Sequence, residues 1–70
     1  MHMSIGEIIK NRRTALRITQ ESLSDISGVG LRTIVNIEND CGNPSLNVLR
    51  KVADTLGMEI TLQVKNLKNE

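Results

Sequence analysis

Three hydroxyl residues, Ser4, Thr19 and Ser45, each stand immediately before a run whose apolar residues recur at helical spacing, and this punctuation commits most of the chain to short helices. A Ser or Thr at such a place accepts a hydrogen bond from an N–H that the first turn of a helix leaves unsatisfied. After Ser4, Glu7 completes a capping box, and Ile5, Ile8, Ile9, Arg12 and Leu16 share one face, so a first helix is expected over residues 5–16. Thr19 opens a second helix, Gln20 to Ser27, closed by the turn Gly28-Val29-Gly30. A third is expected from Leu31 to Asn39, with Ile34 and Ile37 on one side and Arg32, Val35, Asn36 and Asn39 on others. Asp40-Cys41-Gly42-Asn43-Pro44 is a run of turn formers. Ser45 then opens a fourth helix with the stripe Leu46, Leu49, Val52, Ala53 and Leu56, ended by Gly57.

Beyond Gly57 the apolar period falls to two. Met58, Ile60, Leu62 and Val64 alternate with Glu59, Thr61, Gln63 and Lys65, the pattern of a half-buried strand. A single strand leaves its backbone N–H and C=O groups unpaired. Antiparallel pairing with the same strand of a second copy, about a two-fold axis, is therefore expected, with Met58, Ile60, Leu62 and Val64 laid over both helical cores. A frayed end or a fifth helix is the alternative. The expected organisation is a helical domain over 4–57, a dimerisation strand over 58–65 and a polar tail over 66–70. Met1-His2-Met3 reads as the remnant of a cloning site.

With 70 residues there is room for one small domain, which buries only about 60% of the surface of its unfolded chain. Apolar residues make up 39% and none is aromatic, so the core must be built from Ile, Leu, Val, Ala and Met. No apolar run is long enough to span a bilayer and no signal-peptide pattern is present, which points to the cytoplasm. A lone Cys41 cannot form an internal disulfide, in keeping with a reducing compartment, and reads as a loop thiol. One His, one Cys and no spaced ligand set leave no basis for an enzyme, a metal site or a cofactor. The net charge of +1 is too small to identify a nucleic-acid partner, but it is unevenly spread. Lys10, Arg12, Arg13 and Arg17 face only Glu7 within residues 1–17, whereas Arg32 faces Glu21, Asp25, Glu38 and Asp40 within residues 18–40.

The segment from Thr19 to Asn39 resembles the helix-turn-helix of the lambda and 434 repressor and Cro (XRE) family. The resemblance extends over residues 4–57, and its most telling parts are Thr19-Gln20, Leu23, Ser27-Gly28-Val29, Thr33-Ile34, Ile37-Glu38-Asn39 and Asn43-Pro44-Ser45-Leu46. It implies a mainly α, four-helix, lambda-repressor-like DNA-binding domain whose third helix enters the major groove, where each base pair shows a distinct donor and acceptor pattern. On this resemblance Leu31, Arg32 and Asn36 face the bases, with Arg32 suited to guanine, Asn36 to adenine and Leu31 to a thymine methyl. Gln20, Arg12, Thr33, Asn39 and Asn43 fall on phosphate-contacting positions, and Arg13 and Glu38 on a structural ion pair between helices one and three. Four positions depart from the pattern, one being Leu31, which stands in place of a polar reader and implies a different operator. Arg17 stands where relatives often carry Gly, Gly30 replaces a polar N-cap, and Ile26 replaces a polar residue; partial core burial is the favoured reading of Ile26, a partner contact the other.

Thr33 to Leu46, the fourth helix and the alternating segment 58–65 are similar to HipB-type antitoxins. That similarity implies a homodimer joined through the C-terminal strand, a near-palindromic operator in double-stranded DNA, autoregulation of a toxin-antitoxin operon, and a HipA-like kinase toxin as partner. A phage-type or general regulator without a toxin shares the same DNA-facing residues, and a protein-interaction module without DNA binding is the further alternative.

Overall fold

The computed structural model describes residues 3–65. Four helices follow in order, α1 (Ile5–Ala15), α2 (Gln20–Ser27), α3 (Leu31–Glu38) and α4 (Leu46–Thr55). Met1, His2 and the polar tail 66–70 lie outside the described residues. Each hydroxyl named above caps its helix. Ser4 Oγ accepts from Glu7 N at 3.1 Å while Ser4 N donates to Glu7 Oε1 at 2.9 Å, the two halves of a capping box. Thr19 Oγ1 accepts from Ser22 N at 3.0 Å, and Ser45 Oγ from Val48 N at 3.1 Å.

Three of the four helices stop by one repeated device. At the ends of α1, α3 and α4, residues Arg17, Asp40 and Gly57 adopt left-handed φ values of 59°, 57° and 73°. Each turns its N–H back to a carbonyl three residues earlier, and the next residue's N–H reaches back five, as in Ile18 to Arg13, Cys41 to Asn36 and Met58 to Ala53. These are Schellman ends, which satisfy carbonyls that a helix C-terminus otherwise leaves open.

Leu23, Ile34, Val52 and Leu56 are fully buried at the centre, with Ile9, Val29, Ile37 and Ala53 around them. The core is thus shared by all four helices and the α2–α3 turn. The α1 stripe is covered only in part, because Ile5, Ile8 and Leu16 stay exposed while Ile9 is buried. Ile26 is 67% exposed, so its expected place in the core is corrected: it lies on the outer side of α2.

The C-terminal expectation also needs correction. Residues 58–65 form neither a strand nor a fifth helix among the described residues. The physical reason is the one that made a partner necessary: a ladder needs a second extended segment, and the described residues of one copy supply none to pair with it. Met58 is held to the core, half-buried, by its N–H bond to Ala53 O at 2.8 Å. Ile60 is 42% exposed, and Leu62 and Val64 are 96% and 97% exposed.

Candidate nucleic-acid interface

Gly28 makes the sharp α2–α3 turn possible with φ 77°, a conformation that costs a residue with a Cβ. Val29 is buried, and its N–H and C=O are held by Ser27 Oγ at 3.2 Å and Ser24 Oγ at 2.6 Å. The turn is therefore anchored on both sides before α3 begins. Gly30 then leaves α3 without a side-chain cap, so its first N–H groups remain open to an outside acceptor.

Helix α3 turns Ile34, Ile37 and Glu38 inward and leaves Leu31, Arg32 and Asn39 exposed, with Thr33, Val35 and Asn36 half-buried between them. Thr33, Asn36 and Asn43 come together around one shallow depression of about 170 Å³, floored by Ile37 and edged by the α3–α4 loop. That places three polar side chains of the expected interface on one continuous surface. Leu31 and Arg32 project at the open N-terminal end of the same helix.

The inner side of α3 is fixed by an ion pair. Arg13 Nε donates to Glu38 Oε2 at 2.6 Å and Arg13 Nη2 to Oε1 at 3.0 Å, in the two-pronged geometry a guanidinium and a carboxylate favour. Arg13 Nη1 donates to Ile18 O at 2.9 Å, and Gln20 Nε2 donates to Glu38 Oε1 at 3.1 Å. The side chains are 11% and 2% exposed, yet every buried side-chain N and O among the described residues has a partner. The hydrogen bond to Glu38 holds the Arg13 guanidinium above its ordinary pKa, outweighing the opposite effect of burial. One cluster thereby ties the end of α1, the start of α2 and the end of α3 together. Gln20 stands within this cluster, with one amide hydrogen spent on Glu38 and the other available.

Arg12 has an attachment within the fold that its spacing did not disclose. Its Nε donates to Leu56 O at 2.8 Å, which closes the C-terminal end of α4 against α1. Gly6 and Asp40, neither of which was singled out in the sequence, hold the other end of the frame. Gly6 N donates to Asp40 Oδ1 at 2.9 Å, and a Cβ on Gly6 would lie 2.6 Å from Ile37 O and 2.7 Å from Glu38 O. The start of α1 thus lies directly against the backbone at the end of α3.

A profile of the helix-turn-helix family matches residues 9–63. The chain belongs to the helix-turn-helix family. This match and a phage repressor relative support its XRE-like, lambda-repressor-like class. The chain is also 34% identical over 59 residues to a protein of Bacillus phage phi105 named "Immunity repressor protein". That stretch is 84% of this helix-turn-helix chain and 41% of the phage protein, so the chain spans less than half of its relative's length. Among the described residues no helix is long and apolar enough to cross a membrane.

Proposed function

We propose that this helix-turn-helix chain is a sequence-specific DNA-binding transcriptional repressor that reads double-stranded operator DNA with α3 and works as a homodimer. The observation that carries the reading is the division of α3: a buried side locked by Ile34, Ile37 and Glu38, and an outer side of Leu31, Arg32, Thr33, Asn36 and Asn39 with an uncapped N-terminus. A frame this tightly held offers α3 as a fixed unit, so binding need not order its backbone. Leu31, Arg32 and Asn36 are assigned to the bases. Arg12, Gln20, Thr33, Asn39 and Asn43 are assigned to phosphates, Arg12 and Gln20 while keeping their bonds to Leu56 and Glu38. The phage relative named an immunity repressor supports the repressor role.

In a gel-shift titration on the DNA upstream of its own gene, Arg32→Ala should weaken binding roughly 5- to 150-fold, as expected for about 1 to 3 kcal/mol of base discrimination, with little change on a mixed-sequence duplex. Gln20→Ala should weaken both alike. Equal binding of the parent to both DNAs would remove sequence reading from the proposal.

The dimer rests on segment 58–65. Ile5, Ile8, Leu49, Met58 and Ile60 line an apolar groove of about 470 Å³ between α1, α4 and this segment. Leu62 at its edge and Val64 beyond it are almost wholly exposed, an arrangement that leaves apolar surface and backbone groups for a second copy to cover. Sedimentation at micromolar concentration should give a dimer, and Leu62→Asp a monomer with unchanged helical content. A monomeric parent would sink the pairing. Two biological settings share this machinery. The alternating apolar segment and its similarity to HipB-type antitoxins support an autoregulating antitoxin with a HipA-like kinase partner, whereas the phage relative supports a phage-type regulator without a toxin. Co-purification of a kinase encoded beside the gene would decide for the first.

A further inference from the structure

The three Schellman ends differ in how their left-handed residue is accommodated. Gly57 carries no Cβ and adopts the conformation freely. Asp40 has a Cβ, but its carboxylate accepts the Gly6 N–H at 2.9 Å, so an internal contact offsets the strain. Arg17 has φ 59°, a long exposed side chain, and no ion pair or side-chain hydrogen bond among the described residues. The backbone bonds of its Schellman end are ones glycine would make equally, so no contact of the side chain itself offsets the conformation. A strained backbone kept for a side chain with no task inside the fold points to a role outside it.

The position of Arg17 says which role. It lies three residues before Gln20, at the turn into the N-terminus of α2, and that turn is pinned because Ile18 O accepts from Arg13 Nη1 at 2.9 Å. The same Arg13 grips Glu38 at the end of α3, so the turn is rigidly coupled to the reading helix. We infer that Arg17 is a DNA-phosphate contact, its side chain leaving the chain at the turn before α2 from a left-handed backbone that glycine would adopt at lower cost. The inference rests on the DNA-binding reading. It adds a cation to the interface and predicts that stability and affinity are traded against each other at one residue.

The test uses the full chain, the DNA upstream of its gene and a mixed-sequence duplex, with affinity measured across a salt series. Arg17→Asn removes the charge while tolerating the left-handed backbone. It should weaken binding to both DNAs about five- to tenfold and lower the slope of log affinity against log salt by about 0.9, the loss of one phosphate contact. Arg17→Lys should restore the slope, and Arg17→Gly should raise Tm by about 2 to 5 °C while binding as poorly as Arg17→Asn. Lys51→Ala, which removes an exposed charge on α4, should leave the slope unchanged. Undiminished binding by Arg17→Asn, no rescue by Arg17→Lys, or an equal loss in Lys51→Ala overturns the assignment of Arg17 while leaving DNA binding intact. Failure of the parent to bind either DNA overturns the DNA-binding reading and the Arg17 contact with it.

Discussion

Glu38→Ala is expected to lower the free energy of unfolding by about 3 kcal/mol, through the loss of one almost wholly buried side chain. The magnitude comes from what is left behind. Arg13, only 11% exposed, would keep its charge with a single remaining acceptor at Ile18 O, and Gln20 would lose its partner. The pair itself contributes little net energy relative to two well-packed apolar residues; the cost lies in breaking half of it. A chain of this size has roughly 4 to 10 kcal/mol to lose, at about 0.05–0.15 kcal/mol per residue. Urea denaturation followed by circular dichroism measures the change. Glu21→Ala, on the exposed side of α2, is the comparison, and there the change should stay within about 0.5 kcal/mol. Equal midpoints for the two variants would show that the ion pair does not hold α3. Because a base with a raised pKa contributes its stability below its ordinary pKa and loses it only as pH climbs through the raised value, this contribution from Arg13 should not vary between pH 6 and 8.

Gly6→Ala is expected to cost about 3 kcal/mol or more, even though alanine favours helices more than glycine does. On propensity alone the substitution would stabilise α1 by up to about 1 kcal/mol. The added Cβ, however, would press to 2.6 and 2.7 Å against the carbonyl oxygens of Ile37 and Glu38. Neither oxygen can yield like a flexible side-chain tip, since both belong to the end of α3. Relief requires α1 to retreat, and the retreat would break the Gly6–Asp40 bond and strain the Arg13–Glu38 pair. The sign of the effect is therefore diagnostic. A denaturant midpoint that rises in Gly6→Ala would mean that α1 is free to shift away from α3. Loss of DNA binding in step with loss of stability would identify the α1–α3 contact as support for the reading helix.

The elements of this fold were legible because their causes are local. A hydroxyl three residues before an amide it can cap, a glycine at a turn and apolar residues at helical spacing are all visible within one or two turns, and the four helices lie within a residue of where those signs put them. The exposed side of α3 was legible from spacing, whereas its assignment to DNA rests on family resemblance, since spacing separates inward from outward residues without saying what the outward ones meet. Ile26 was misread because an apolar residue on a short amphipathic helix looks the same whether or not a neighbour covers it.

What only the tertiary structure decided are contacts between distant segments. Gly6 and Asp40 are 34 residues apart, and Arg12 and Leu56 are 44 apart; no local pattern distinguishes them from a tolerated helical glycine, a loop acid and a surface arginine. The alternating segment 58–65 shows the same division. Its period of two follows from the residues alone, whereas strand formation depends on a second set of backbone groups that the described residues of one chain do not provide.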